Sequence, residues 1–189
     1  MFAAFSVLLL LAAGPAPGAA AAPPAATVAV VDFYAITPVP PVSGLIAERF
    51  AADDLSAMLA GRVRVIPRPT VQQAERDLGW RDGDVLKYGR LEELARRLHA
   101  DRLVVGWIRE LVNTSPGSDG TVPRMGNGPI MGFAVLVVQV FDAAQGRIVA
   151  QVQGEGDAVG MVRLVLTEQV LHRALAPTVG PLSSALAAP

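Results

Sequence analysis

The sequence predicts a single mixed α/β domain, a sheet of about five strands flanked by helices in the order β-α-β-α-α-β-β-β-α. Three observations carry it. Short β-branched runs alternate with segments of helical period, which is the pattern of parallel strands joined by helical crossovers. The composition, 52% hydrophobic and 17% charged, supplies one core without global disorder. Late in the chain, two apolar runs flank Asp142 to Gly146, as in a β-hairpin.

The ordered chain is expected to begin at Thr27. "TVAVVDFY" is a near-continuous β-branched run, which reads as a strand covered on both faces. "ITPVPP" stops it, since proline donates no ladder hydrogen bond. Ser43 is placed to cap a helix running to about Ala60, with Ile46, Phe50, Leu55, Met58 and Leu59 along one face and Gly61 as its stop. "VRVIPR" (Val63 to Arg68) is a second strand, and Thr70 opens a short helix through Leu78. "LEELARRLH" gives a helix from Leu91 to His99, followed by a strand from about Arg102 to Ile108. Asn113 to Pro129 is polar and rich in glycine and proline, a loop long enough to be functional or disordered. After the hairpin, Val159 to about Leu175 has helical spacing, and Pro177 and Pro181 are expected to break or kink it. No internal repeat is present.

In front of this domain stands "FAAFSVLLLLAA", an apolar run too short to cross a bilayer, followed by small residues. It fits a secretory signal peptide over residues 1–22 with cleavage near Ala20 to Ala22, a linker at 23–26, and the domain at 27–189. The first basic side chain is Arg49, so the usual basic start is missing, and an alanine-rich linker or monotopic anchor is the other reading. Export to the periplasm or envelope space is expected, with no transmembrane segment in the mature chain.

The formal net charge of -1 argues against a nucleic-acid partner, which needs a basic surface. Lys87 is the only lysine among 16 basic residues, a bias better read as codon usage than as function. There are no cysteines, which removes disulfides, thiolate metal sites, cysteine nucleophiles and the acylated cysteine of a bacterial lipoprotein.

Little chemistry is recognisable. Asp32 lies where open α/β sheets bind ligands, at the C-terminal end of a parallel strand, and is the candidate ligand-binding residue. No sequence partner for catalysis accompanies it, and an Asp that shapes the following turn is the alternative. His99 and His172 have no ligand spacing and read as helix-surface or boundary residues. "GNGPIMG" lacks the strand and helix of a phosphate loop, and no serine lies in a nucleophile elbow. Glu92, Glu93, Arg96 and Arg97 make a solvated helix face. In the long loop, Asn113, Asp119, Arg124 and Asn127 are the candidate interaction residues, against the reading of a plain connection. No catalytic residue, metal ligand or cofactor site is assigned.

Several phrases resemble a bacterial envelope family that includes the curli assembly component CsgG, the N-terminal domain of TolB and the penicillin-binding-protein activator LpoB. The family's "A-V-x-D-F" strand is similar to Val30, Asp32 and Phe33. Its "G-A-D-x-x-V-x-G" junction is similar to Ala100, Asp101, Val105 and Gly106, and its "D-x-x-T-G-x-[IV]" hairpin to Asp142, Gly146 and Ile148. His99 stands in place of the junction glycine, and Gln145 in place of the hairpin threonine. The lipoprotein cysteine and any segment fit for membrane-spanning hairpins are missing, so a pore is not expected. The resemblance covers about Thr27 to Gly156. It implies an exported, non-enzymatic module that binds envelope proteins or self-associates, a homo-oligomeric ring being one form. The competing expectation is a ligand-binding or enzymatic domain using the cleft near Asp32, with residues 113–129 as a lid.

Overall fold

A computed structural model of the chain describes residues 26–36, 41–81, 83–114 and 129–188. The expected signal peptide and most of the linker lie outside these residues, as do Asp119, Arg124 and Asn127. The strands are β1 (Thr27–Val30), β2 (Tyr34–Ala35), β3 (Arg64–Val65), β4 (Arg102–Thr114), β5 (Ile130–Asp142) and β6 (Arg147–Gly160). The helices are α1 (Pro41–Ala60), α2 (Arg68–Asp77), α3 (Tyr88–Leu98), α4 (Arg163–Leu175) and α5 (Val179–Ala187).

Six strands form one mixed sheet in the order β3-β1-β4-β5-β6, with β2 paired to β4 beyond β1. β1 lies parallel to β3 and β4, with Val28 opposite Arg102 and Val30 opposite Val104. The crossovers from β1 to β3 and from β3 to β4 run through helices, as the alternating pattern predicts. β4, β5 and β6 form an antiparallel meander.

The sheet separates two apolar clusters. One packs α1, α4 and α5 against Val28, Val30, Val104, Leu136 and Val138. The other packs α2 and α3 against Ala29, Val31, Leu103, Val105 and Phe141. The first strand, buried on both sides, therefore reads as a continuous apolar run.

Several boundaries differ from expectation. The opening strand ends at Val30 and pairing resumes at Tyr34, since Asp32 and Phe33 turn away to make side-chain contacts. α1 starts at Pro41, two residues before the expected Ser43 cap, because a proline in the first turn has no N–H that the helix needs. Its buried face is Ala47, Ala51, Ala52, Leu55 and Leu59, whereas Ile46 is exposed, so small residues set the contact with the sheet. α2 begins at Arg68 after Pro67, not at Thr70, and α3 at Tyr88. β4 runs past Ile108 to Thr114, through an irregularity between Ile108 and Glu110. That shift puts Leu111 and Asn113 on one face and Glu110 and Val112 on the other, an alternation that an apolar-run criterion misses. Asn113 is consequently a strand residue. Val159 and Gly160 end β6 instead of opening a helix, while α4 stops at Leu175, just before Pro177 as expected, and a 3-10 turn at Ala176–Thr178 leads into α5.

The quoted motifs all have structural duties. Phe33 lays its ring against Gly106, where a Cβ would overlap the nearest ring carbons. The Asp101 carboxylate accepts the Thr27 N–H at 2.7 Å and its own N–H donates to the Thr27 carbonyl at 2.9 Å, which fixes the start of β1 beside β4. Asp142 accepts the Gln145 N–H at 2.9 Å in the hairpin turn, and Gly146 closes that turn at φ 62°. Arg102, buried beside Asp142, donates to the Ala185 carbonyl and, at 2.6 Å, to the Ala188 carbonyl, so it ties the end of α5 to the sheet. His99 ends α3 with φ 50° and ψ 40°, the left-handed geometry for which glycine is the usual residue.

Candidate functional site

At the C-terminal end of β1 the structure has a cleft of about 260 Å³. Asp32 lies at its floor and is joined to Arg68, which opens α2, by a direct ion pair. Arg68 also donates from Nε to Asp53 at 2.8 Å and from Nη1 to the Val30 carbonyl at 2.5 Å. One guanidinium thus links the end of β1, α1 and α2, and Asp32 is one of its anchors. Asp32 therefore lines the cleft and is also tied to α2 through Arg68 and through its own N–H bond to Glu75.

The residue that sequence reasoning missed is Glu75. It is buried on α2, and its Oε1 accepts the Asp32 N–H at 3.1 Å. Burial, with Asp32 nearby, pushes its carboxyl up to about 7 despite opposing contributions from the Asp32 N–H and from Arg68 and Arg76. A Glu inside a helix of polar composition gives no sequence signal, since only the fold brings it to the strand end. Glu48 from α1 also lines the cleft and accepts the Ala35 N–H at 2.7 Å.

The remaining wall is the turn after α2. The Trp80 N–H donates to the Glu75 carbonyl at 2.8 Å, and the Arg90 guanidinium stacks over the indole at 5.6 Å. Buried Asp84 accepts the Arg81 N–H at 3.1 Å, and is paired with Lys87 and Arg90. Despite its burial, those hydrogen bonds hold its carboxyl below the usual range. Gly83, at φ 81°, lets the turn reverse there.

The second notable surface is the far end of the β4–β5–β6 meander. On the face that α2 and α3 cover, burial continues along β5 through Val137 to Val135 and ends there. Beyond that point Met131 and Phe133 on β5, Val112 on β4 and Val159 on β6 share one face. At the adjoining turn into α4, Met161, Val162, Leu164 and Val165 are also exposed, Met161 at 62%. Asn113 lies on the opposite face, where its Nδ2 donates to Thr167 Oγ1 at 3.1 Å and its buried Oδ1 has no partner among the described residues. β4 ends at Thr114, seven residues past Trp107, so the segment expected to act as a lid departs roughly 23 Å along the strand from the cleft.

Among the described residues no group of three or more acidic or histidine side chains could hold a metal ion. His172 instead pairs with Asp54 at 2.9 Å, joining α4 to α1. No described helix is long and apolar enough to cross a membrane.

No family model and no curated protein matches this chain. Solved structures do. Lipoprotein GNA1162 from Neisseria meningitidis superposes with a TM-score of 0.57 at 12% identity, over 84% of this chain and 99% of that one. The hypothetical protein CT253 from Chlamydia trachomatis gives a TM-score of 0.53 at 13% identity, over 86% and 98%. LpoB from E. coli gives 0.50 at 14% identity, over 86% and 84%. The chain shares their fold, and the part of the resemblance that these likenesses bear out is the LpoB fold. GNA1162 is a lipoprotein by name, which runs against the expectation that this protein carries no lipid.

Proposed function

We propose that this chain is an exported, non-enzymatic module of the cell envelope that works by binding other envelope proteins or further copies of itself. The observation that carries the reading is the exposed apolar end of the meander, from Met131 and Phe133 to Val165. Exposed apolar side chains gathered at one end of a sheet, bounded on β4 and β6 by Glu110, Glu155 and Asp157, are a mark of protein interfaces. The fold shared with a lipoprotein and with LpoB supports an envelope setting. The structural duties of Asp32, Asp101 and Asp142 support a non-enzymatic role. The leader at residues 1–22 would deliver the chain to that compartment. The 189 residues contain no cysteine, so none of them can carry a thioether-linked lipid.

Site-specific photo-crosslinking tests this. A photoreactive residue at Met161 or Val165 should capture a discrete partner in cells, whereas the same residue at Arg96, on the solvated face of α3, should capture none. Light scattering on the purified chain then separates a second copy from a foreign protein. Absence of any crosslink from both apolar positions sinks the reading.

A further inference from the structure

The strand-end cleft has the makings of a site of its own, unrelated to the apolar end. Its polar floor is already engaged: Asp32 is neutralised by Arg68, and Glu75 and Glu48 each accept a backbone N–H. Its rim differs. Arg49 from α1 and Arg81 from the turn after α2 are exposed at the cleft mouth, and neither is ion-paired to a described residue. The Trp80 indole forms an apolar wall of the same cleft, with the Arg90 guanidinium stacked over the ring and the Trp80 backbone N–H donating to the Glu75 carbonyl. Val85 and Phe33 extend that wall inward. An aromatic face that shares a cleft with two guanidiniums, neither ion-paired to a described residue, is an arrangement that selects for an anion attached to an apolar body.

We propose that this cleft binds a small organic carboxylate, its carboxylate held by Arg49 and Arg81 and its apolar body laid against Trp80. The cavity, about 260 Å³, has the size for one ring and a short acid side chain. Glu75 is the group through which pH acts on the site. Around it stand Asp32 from the end of β1, Arg68 and Arg76 on its own helix, Glu48 and Arg49 from α1, and Arg81. A bound anion is compatible with the neutral acid and opposed by the carboxylate. With Glu75 titrating at about 7, affinity for a carboxylate falls as pH rises through that value. A cation drawn to the acidic floor would show the reverse.

The test is a titration of the wild-type protein with phenylacetate, followed by NMR at the Trp80 indole N–H and the Arg49 and Arg81 Nε–H signals. Benzylamine serves as the cationic control. Saturable shifts at all three signals are expected for phenylacetate, with a dissociation constant in the millimolar range given so few ligand atoms. The double variant Arg49→Gln/Arg81→Gln, both at exposed positions, should weaken binding roughly tenfold or more, as expected for loss of charge-assisted bonds. Between about pH 6 and about pH 8 the wild-type affinity should drop by up to roughly tenfold, following the fraction of neutral Glu75. In Glu75→Gln the affinity should stay flat. Absence of saturable shifts, tighter binding of benzylamine, unchanged affinity in the double variant, or a flat wild-type pH profile would each overturn the proposal. None of these outcomes touches the apolar end, so the two readings fail separately.

Discussion

Replacing Gly106 with alanine tests the junction on which the first strand, its exit turn and β4 depend. The added Cβ would lie within 2.8 Å of three carbons of the Phe33 ring. Ordinary contact begins near 3.4 Å, so the ring must retreat by about 1 Å into a close-packed interior. Phe33 is only 3% exposed and belongs to the cluster formed with α1 and α4, so little room is available. Overpacking of this kind costs about 1–3 kcal/mol. For a domain of this size each kcal/mol moves Tm by about 2–4 °C, which places the expected fall at about 2–12 °C. The assay is thermal and urea unfolding of a double-mutant cycle with Phe33→Leu. A smaller side chain at position 33 removes the clash. Phe33→Leu should therefore be better tolerated in combination with Gly106→Ala than on its own, with a coupling of about 1 kcal/mol or more. A Gly106→Ala protein within about 0.5 kcal/mol of wild type, or an additive cycle, would refute the reasoning.

Three more outcomes rest on the same geometry. Glu75 titrates near 7 in the folded protein against an ordinary 4.5, so the stability linked to its neutral form is complete below about 4.5 and is lost as pH rises through about 7. That gap amounts to about 3 kcal/mol at most, and Glu75→Gln should stabilise the protein at about pH 8 by about 1–3 kcal/mol while changing little at about pH 5, as read from urea midpoints. His99→Gly should stabilise by about 0.5–1 kcal/mol, because it relieves a left-handed side chain at a helix end, and a lower Tm would contradict this. Arg68→Ala should cost about 1–3 kcal/mol, since it strands the partly buried Asp32 and the Val30 carbonyl, whereas Asp53→Ala, at an exposed partner, should cost under about 0.5 kcal/mol by the same measurement.

The layered α/β architecture was legible because its signals are local. "TVAVV" reads as a buried strand since both faces are covered, and the hairpin turn is written into Asp142 and Gly146. Boundaries failed where a local rule has a second use. Pro41 belongs to a run that stops a strand, yet it also fits the first turn of a helix. The outer half of β4 was hidden because polar Glu110 and Asn113 alternate across a bulge. The cleft was legible only in Asp32. Glu75, Trp80 and Arg81 reach it through the crossover that brings α2 behind β1, and nothing in their immediate neighbours announces that approach. The apolar end was invisible for a related reason. Met131, Phe133 and Val159 look like core residues until the sheet shows that helices cover only part of one face.

The position of β1 between β3 and β4 also governs the order in which the chain can fold. β1 is made first, but the Asp101 that fixes its start is 74 residues away in sequence. Closing so long a loop is slow, while the β4–β5–β6 meander needs only near-neighbour pairing. β1 therefore has its full set of pairing partners only once β4, Arg102–Thr114, has been made.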